Sequence, residues 1–185
     1  PLFSYNVWSC RPGKGLIACV ERTQKFLRGY PNHWIWRADV AKFFDSIDHE
    51  VLRSCLFQRL TSEYDRWLLN CVIASYRERE RESMRPVVIP ICNLTSQIFA
   101  NIYLHEFDKF VEQKLRATGY VRYGDDFILN ARKREDLETM KDVATEFLAN
   151  SLHLILHQCN NVIIKPCWGL HFLGLRLFPN GRTLT

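Results

Sequence analysis

Two acidic stretches carry residue types that chemistry needs. Tyr123-Gly124-Asp125-Asp126 sets two adjacent carboxylates beside a glycine. Asp39 closes Trp34-Ile-Trp-Arg-Ala-Asp39-Val40, in which large apolar and other residues alternate. Carboxylate clusters suit hard cations, and Mg²⁺ is small and holds octahedral oxygen ligands. Two such ions about 4 Å apart activate an attacking hydroxyl and stabilise a leaving oxygen in phosphoryl transfer. Taken alone, Gly124-Asp125-Asp126 is also what a plain hairpin turn requires, because Gly and Asp suit turn backbones. Asp39 alone is also compatible with a helix cap or a surface position.

The elements that would position these carboxylates are legible from periodicity. Trp34 to Val40 alternates as a strand does. Ser46 and Asp48 are helix caps, followed by Val51, Leu52, Cys55, Leu56 and Leu60 at helical spacing. A second helix is expected from Glu63 to Tyr76, with Trp67, Leu68, Cys71 and Val72 on one side. Ser96 to Ala117 predicts a long helix with Ser96 as its N-cap and Gly119 placed to end it. Tyr120 to Tyr123 and Phe127 to Leu129 flank Gly124-Asp125-Asp126 as the arms of a hairpin. Glu135 to Asn150 is amphipathic. Leu152 to His157, Asn161 to Ile164 and His171 to Phe178 read as strands. The order predicts an α+β fold, an antiparallel sheet with helices on one face. If the first strand and the hairpin are adjacent, three carboxylates meet at one sheet end.

Composition sets outer bounds. The 185 residues suffice for one core-bearing domain, and 47% hydrophobic with 24% charged residues excludes a disordered chain. The net charge of +5 is compatible with a polyanionic partner without requiring one. Seven cysteines lack CxxC spacing, which argues against a zinc ribbon and for a reducing, cytoplasmic setting. No apolar run approaches the roughly 20 residues of a membrane span. Arg77 to Arg85 alternates in charge, as a solvated loop or hairpin face does. His153 and His157 would share a strand face, but no carboxylate or cysteine completes a ligand set nearby. Trp34 and Trp36 are expected in a core or interface, and Trp168 in a turn beside Gly169. The start at Pro1, without Met, and the end soon after a strand are expected of a segment cut from a longer chain.

Several segments together resemble reverse transcriptases. Arg37-Ala-Asp39-Val-Ala-Lys-Phe-Phe44-Asp45-Ser-Ile-Asp48-His resembles their motif A, and Arg122-Tyr123-Gly124-Asp125-Asp126-Phe127 their motif C. Between them, Ile89-Pro90-Ile91-Cys92-Asn93-Leu94-Thr95-Ser96-Gln97, running on to Asn101 and Leu104, resembles motif B. Ser9-Cys10-Arg11-Pro-Gly13-Lys14-Gly15 resembles a fingers segment and Phe172-Leu173-Gly174 the primer grip. Each match is weak, whereas the ordered set is specific and spans almost the whole chain.

The resemblance implies a polymerase palm, with a ferredoxin-like antiparallel sheet, plus partial fingers. It implies fingers at residues 1–33, palm at 34–166 with fingers-type elements around 77–90, primer-grip strands at 167–185, and no thumb. Asp39, Asp125 and Asp126 would be catalytic and bind two Mg²⁺ ions, Asp126 the weakest ligand, with Val40 beside them in the metal set. Val40, Phe43, Phe44, Ile91 and Ser96 would contact the nucleotide, Phe44 as a steric gate against a ribose 2′-hydroxyl. Arg11, Lys14, Tyr123 and Gly174 would contact nucleic acid. Implied partners are an RNA template, a DNA or RNA primer, deoxynucleoside triphosphates and an accessory protein.

The Ile-x-Asn-Leu-Thr-Ser-Gln form of motif B looks most like reverse transcriptases of diversity-generating retroelements. Group II intron maturases and bacterial defence reverse transcriptases are the rivals. Cys92 stands where the motif has Gly, and His157-Gln-Cys159-Asn160-Asn161 lacks the lysine expected to act as general acid toward pyrophosphate, with Lys165 farther on. These departures keep open a catalytically impaired module that binds RNA or a partner. Another two-metal enzyme, such as a nucleotidyl cyclase, is a third alternative.

Overall fold

The computed structural model describes residues 3–78 and 94–184. The alternating charges from 79 onward, Ile91 and Cys92 therefore lie outside the described residues. The chain runs α1 (Leu16–Gly29), β1 (Trp34–Ala38), α2 (Phe43–Ser46), α3 (His49–Phe57), α4 (Glu63–Glu78) and α5 (Leu94–Phe110). After a π-helical turn (Val111–Leu115) come β2 (Gly119–Tyr123), β3 (Asp126–Ala131), α6 (Arg134–Leu152) and β4 (Val162–Ile164). A 3₁₀ turn (Pro166–Trp168) then leads to β5 (Leu170–Phe172), β6 (Leu175–Phe178) and β7 (Gly181–Leu184).

The main sheet has the order β2-β3-β1-β4, with every neighbour antiparallel. Helices connect β1 to β2 and β3 to β4, so the unit is a split βαβ arrangement of ferredoxin type. Alternation along β1 sorts the residues. Trp36 and Ala38 face one side with Phe127, Leu129 and Tyr120, under α3, α5 and α6. Ile35 faces the other with Val121 and Ile128. That second face is also covered. α1 lies on it with Cys19, Val20, Phe26 and Leu27, and the small β5-β6-β7 sheet adds Leu170, Phe172 and Leu177. The palm helices thus occupy one face as expected, while α1, which no expectation placed, fills the other.

Four local readings change. Gly119 does not end the long helix. Arg116 does, with a left-handed φ of 50° and its N–H on the Val111 carbonyl. Gly119 opens β2 where a Cβ would meet the Phe26 ring at 1.9 Å, so its lack of a side chain admits α1. Leu152 to His157 is not a strand. α6 runs to Leu152, His153 caps it at φ 52°, and only Leu156 makes a bridge, to Val40. His153 and His157 therefore share no strand face: the His153 Nδ1 lies 2.9 Å from Asp48, while the His157 N–H donates to the Asp39 carbonyl at 2.7 Å. On α4, Trp67 and Leu68 remain exposed, and the helix is anchored by Ile73 with Leu69 and Val72.

Two further readings change: Ser46 is the last residue of α2 rather than a cap, its hydroxyl donating to the Ala41 carbonyl at 3.3 Å, and His171 to Phe178 is not one strand but parts of β5 and β6 joined by a turn at Leu173-Gly174. Other expectations hold. Asp48 caps α3, accepting from the N–H groups of Glu50 and Val51 at 2.7 and 3.2 Å. Trp36 is fully buried and its indole N–H donates to Asn161 at 2.7 Å. Trp34 lies under the Lys165 ammonium and the Arg134 guanidinium and against the edge of Trp168. The six described cysteines are free thiols, and burial pushes Cys19 up to about 12. No helix among the described residues is long and apolar enough to cross a membrane.

Candidate active site

The strand order places Asp39 beside the β2–β3 turn. β1 pairs with β3 so that Ala38 stands opposite Phe127, and Asp39, the residue after β1, emerges where β3 begins. Tyr123 pairs with Asp126, which leaves Gly124 and Asp125 as a two-residue turn. Gly124 has φ +64°, the positive angle that primed hairpin turns demand at their first central position. A side chain there would meet open space, so the backbone angle is what calls for glycine.

Two of the three carboxylates face each other. Asp125 lies close enough to Asp39 for the two carboxyl groups to interact. Burial first, then the Asp39 charge, pushes Asp125 up to about 6. Asp126 points to Arg37 in a bidentate pair, with Nε and Nη2 donating at 3.0 and 2.8 Å. Burial nevertheless pushes Asp126 up to about 6, only partly offset by Arg37. Among the described residues no three acidic, histidine or cysteine side chains form a metal-holding group. The expected meeting of three carboxylates is thus a facing pair with the third held on a cation. Like charges packed at one sheet end repel, and Arg37 relieves the third.

Asp39 has two further partners that the sequence did not single out. Asn160 donates its side-chain N–H to the Asp39 carboxylate at 3.1 Å, and the His157 N–H holds the Asp39 carbonyl. The 157–161 segment, where a lysine was expected, is therefore clamped to the end of β1. Arg37 and Asn160 also line a cavity of about 410 Å³, bounded by His171, Phe172, Gly174 and Leu175. It brings the β5–β6 turn next to the partners of both Asp126 and Asp39. That turn holds Leu173 and Gly174 at φ 53° and 76°. A left-handed leucine is strained by about 1–2 kcal/mol.

The other expected residues fall as follows. Phe43 is buried in the core against Tyr103, whereas Phe44 is only partly buried, the one of the two with surface left to offer. Val40 is buried. Ser96 is buried within α5, which is described from Leu94, so it is not the N-cap, a position that needs non-helical backbone outside the first turn. Tyr123 is half-buried against α1's side of the sheet. Lys14 places its ammonium over the rings of Tyr5 and Trp8, and bonds the Tyr5 carbonyl. Arg11 bonds the carbonyl of Ser4. Both cations therefore also build the loop that carries them.

The model of the family described as reverse transcriptase (RNA-dependent DNA polymerase) matches residues 1–177. The chain belongs to the reverse transcriptase family. It is 21% identical to the group II intron-encoded protein LtrA of Lactococcus lactis subsp. cremoris, over 94% of this chain and 39% of that protein. An uncharacterised 91 kDa protein in the cob intron of Schizosaccharomyces pombe is 28% identical over 60% of this chain and 14% of its own length. Among solved structures, apo telomerase from Candida tropicalis matches with a TM-score of 0.68 at 14% identity, covering 97% of this chain and 37% of that one. Telomerase from Candida albicans with a fragment of telomeric RNA gives 0.65 at 14%, over 97% and 36%. The chain spans less than half the length of each, and the structural likeness is one of fold.

Within this reverse transcriptase domain, four buried polar residues also went unmarked as a set: Ser9, Asn101, Asp108 and Arg122. Their signal was present. Arg122 interrupts an apolar strand, and Asp108 follows Asn101 by seven residues on a helix rich in apolar residues. A charged residue at a core position needs a partner, and the sequence offered one of each sign.

Proposed function

We propose that this chain is the palm and part of the fingers of an RNA-directed DNA polymerase that extends a primer 3′-hydroxyl with deoxynucleoside triphosphates. The facing Asp39–Asp125 pair at the β1 end and hairpin turn carries the reading. An all-oxygen set that raises its own pKa is short of positive charge, and hard divalent cations meet that need. Asp39, Asp125 and Asp126, with the Val40 backbone, would hold two Mg²⁺ ions. Bound there, the ions supply the Lewis acid that lowers the pKa of the primer hydroxyl and neutralises the leaving pyrophosphate.

The chain's own groups do the rest. Arg37 holds Asp126 and Asn160 holds Asp39, so the carboxylates are oriented before any ligand arrives. The partly buried Phe44 limits room at the sugar, which favours deoxynucleotides, with Phe43 packed behind it. The cavity beside Arg37, Asn160 and Gly174 would accept the primer end, which supports reading residues 167–185 as primer-grip strands beside a palm at 34–166, with fingers at 1–33. Arg11, Lys14 and Tyr123 would line the template side, and Ile91 and Ser96 the templating pair.

Primer extension on an RNA template by the full-length protein with Mg²⁺ tests this. Asp39→Asn or Asp125→Asn should lower extension by about 10³-fold. A protein that binds RNA but extends no primer would instead be a non-catalytic module. Misincorporation opposite template adenines separates the two retroelement readings. The motif B form with Ile91 favours the diversity-generating type, and the likeness to intron-encoded proteins favours the group II intron type.

A further inference from the structure

We infer that Ser9, Asn101, Arg122 and Asp108 form a positioning brace that fixes the catalytic turn in its metal-binding conformation, a role that rests on the metal-site reading above. The turn is small, and glycine at its first central position is free to take either sign of φ. An unbraced turn would therefore sample several peptide orientations, each aiming Asp125 differently.

Both polar groups of Gly124 are held from outside the hairpin's own ladder. Its N–H donates to the Ser9 hydroxyl at 3.0 Å, and its carbonyl accepts from the Arg122 Nη1 at 2.7 Å. These bonds fix the peptide planes on either side of Gly124, and the second plane leads directly into Asp125. Each anchor is itself held. Arg122 is fully buried and donates to both Asp108 oxygens at 2.7 Å and to Asn101 at 3.2 Å. Tyr120 donates to the same Asp108 at 2.7 Å. Ser9 and Asn101 exchange two bonds, the Ser9 hydroxyl donating to the amide oxygen at 3.3 Å and the amide donating to the Ser9 carbonyl at 3.1 Å.

The brace has two roots. Asn101 and Asp108 both stand on α5, two turns apart on one face. Ser9 belongs to the N-terminal segment, which pairs with β2: the Trp8 N–H donates to the Arg122 carbonyl and the Arg122 N–H to the Asn6 carbonyl, both at 2.9 Å. The loop bearing Arg11 and Lys14 is therefore tied to the carboxylate turn through Ser9. None of these side chains is placed to touch a reacting atom, so their effect passes through Gly124.

Ser9 is the probe, because replacing Arg122 or Asp108 risks the fold. Mn²⁺ binding to the chain is followed by the loss of the free-ion electron paramagnetic resonance signal, together with the urea midpoint. Ser9→Ala should weaken Mn²⁺ binding about tenfold, as loss of a group that orients ligands does, with a urea midpoint close to the parent's. Ser9→Thr, which keeps a hydroxyl, should recover most of the loss. The full-length protein should show a matching rise in the Mg²⁺ concentration for half-maximal primer extension. Parental Mn²⁺ affinity in Ser9→Ala, or a loss no greater than its unfolded fraction explains, would overturn the brace. Mn²⁺ binding that Asp125→Asn leaves intact would overturn the metal-site reading itself.

Discussion

Two arginine–aspartate pairs flank the Gly124-Asp125 turn, and their electrostatics differ in sign. Arg122–Asp108 has no exposure on either side chain, while Arg37–Asp126 retains 14% and 13%. Burial opposes the charge of both aspartates. For Asp108, Arg122 with His105 and Tyr120 outweighs burial, and the carboxyl is held below the usual range. For Asp126, Arg37 does not suffice against burial, with Asp39 adding to the rise, and the carboxyl sits at about 6. The more deeply buried pair is the more satisfied one. What separates them is the number of partners: Asp108 is held by Arg122, His105 and Tyr120 together, while Asp126 has Arg37 alone and Asp39 adds a smaller opposing charge.

Breaking the pairs should expose the difference. Arg122→Met strands a fully buried carboxylate, the Asn101 amide oxygen and the Gly124 carbonyl, and should lower stability by about 3–5 kcal/mol in urea denaturation. Arg37→Met leaves Asp126 nearer to solvent and already prone to protonate, and should cost only about 1–2 kcal/mol. Equal costs would contradict the comparison.

A pH series in metal-free buffer sharpens it. Asp126 has its folded pKa raised from 3.8 to about 6, so the folded state binds a proton the unfolded state has lost. Wild-type stability from this group is full below pH 4 and is lost as pH rises through 6. Asp126→Asn cannot ionise, so it should gain about 2 kcal/mol on the wild type between pH 4 and pH 8. Asp108 has its pKa lowered, so its contribution is present above the usual carboxylate range and is lost only in acid. The cost of Asp108→Asn should therefore be flat from pH 5 to pH 8. Circular dichroism melts at each pH read both slopes.

The smallest effect is expected at the edge of the site. Asn160→Ala removes one neutral donor from Asp39, and should lower primer extension about three- to tenfold with little change in stability. A loss as large as that of Asp39→Asn would make Asn160 part of the chemistry rather than its alignment.

Much of this could be read before the fold was known. The β1 strand, the hairpin at Gly124-Asp125, the Asp48 cap and the α6 amphipathic helix all follow from short-range periodicity and turn chemistry. α1 carries a helical stripe of its own, Cys19, Val20, Thr23, Phe26 and Leu27, but its place against the second face of the sheet is not given by that spacing. The Leu152 to His157 strand was misread because alternation there is interrupted by a left-handed residue, and a cap of that kind leaves no trace in hydropathy. Phe172-Leu173-Gly174 was found as a motif, but its two positive φ angles and its approach to Arg37 and Asn160 were not visible.

The sequence by itself determined which residues carry negative charge at the end of a strand and in a turn, and their order placed them in a polymerase family. Residue type and spacing suffice for that, because strand and hairpin formation are local. Only the tertiary structure decided which carboxylates face each other and which is held by an arginine. It also decided that Ser9, 115 residues before Gly124, grips that glycine's N–H, and that Asp108 holds the Arg122 that grips its carbonyl. Those choices depend on which elements pack together. A pairing between side chains far apart in sequence is fixed by the cost of leaving a buried charge or polar group unsatisfied, and that cost arises only once the core has closed around it.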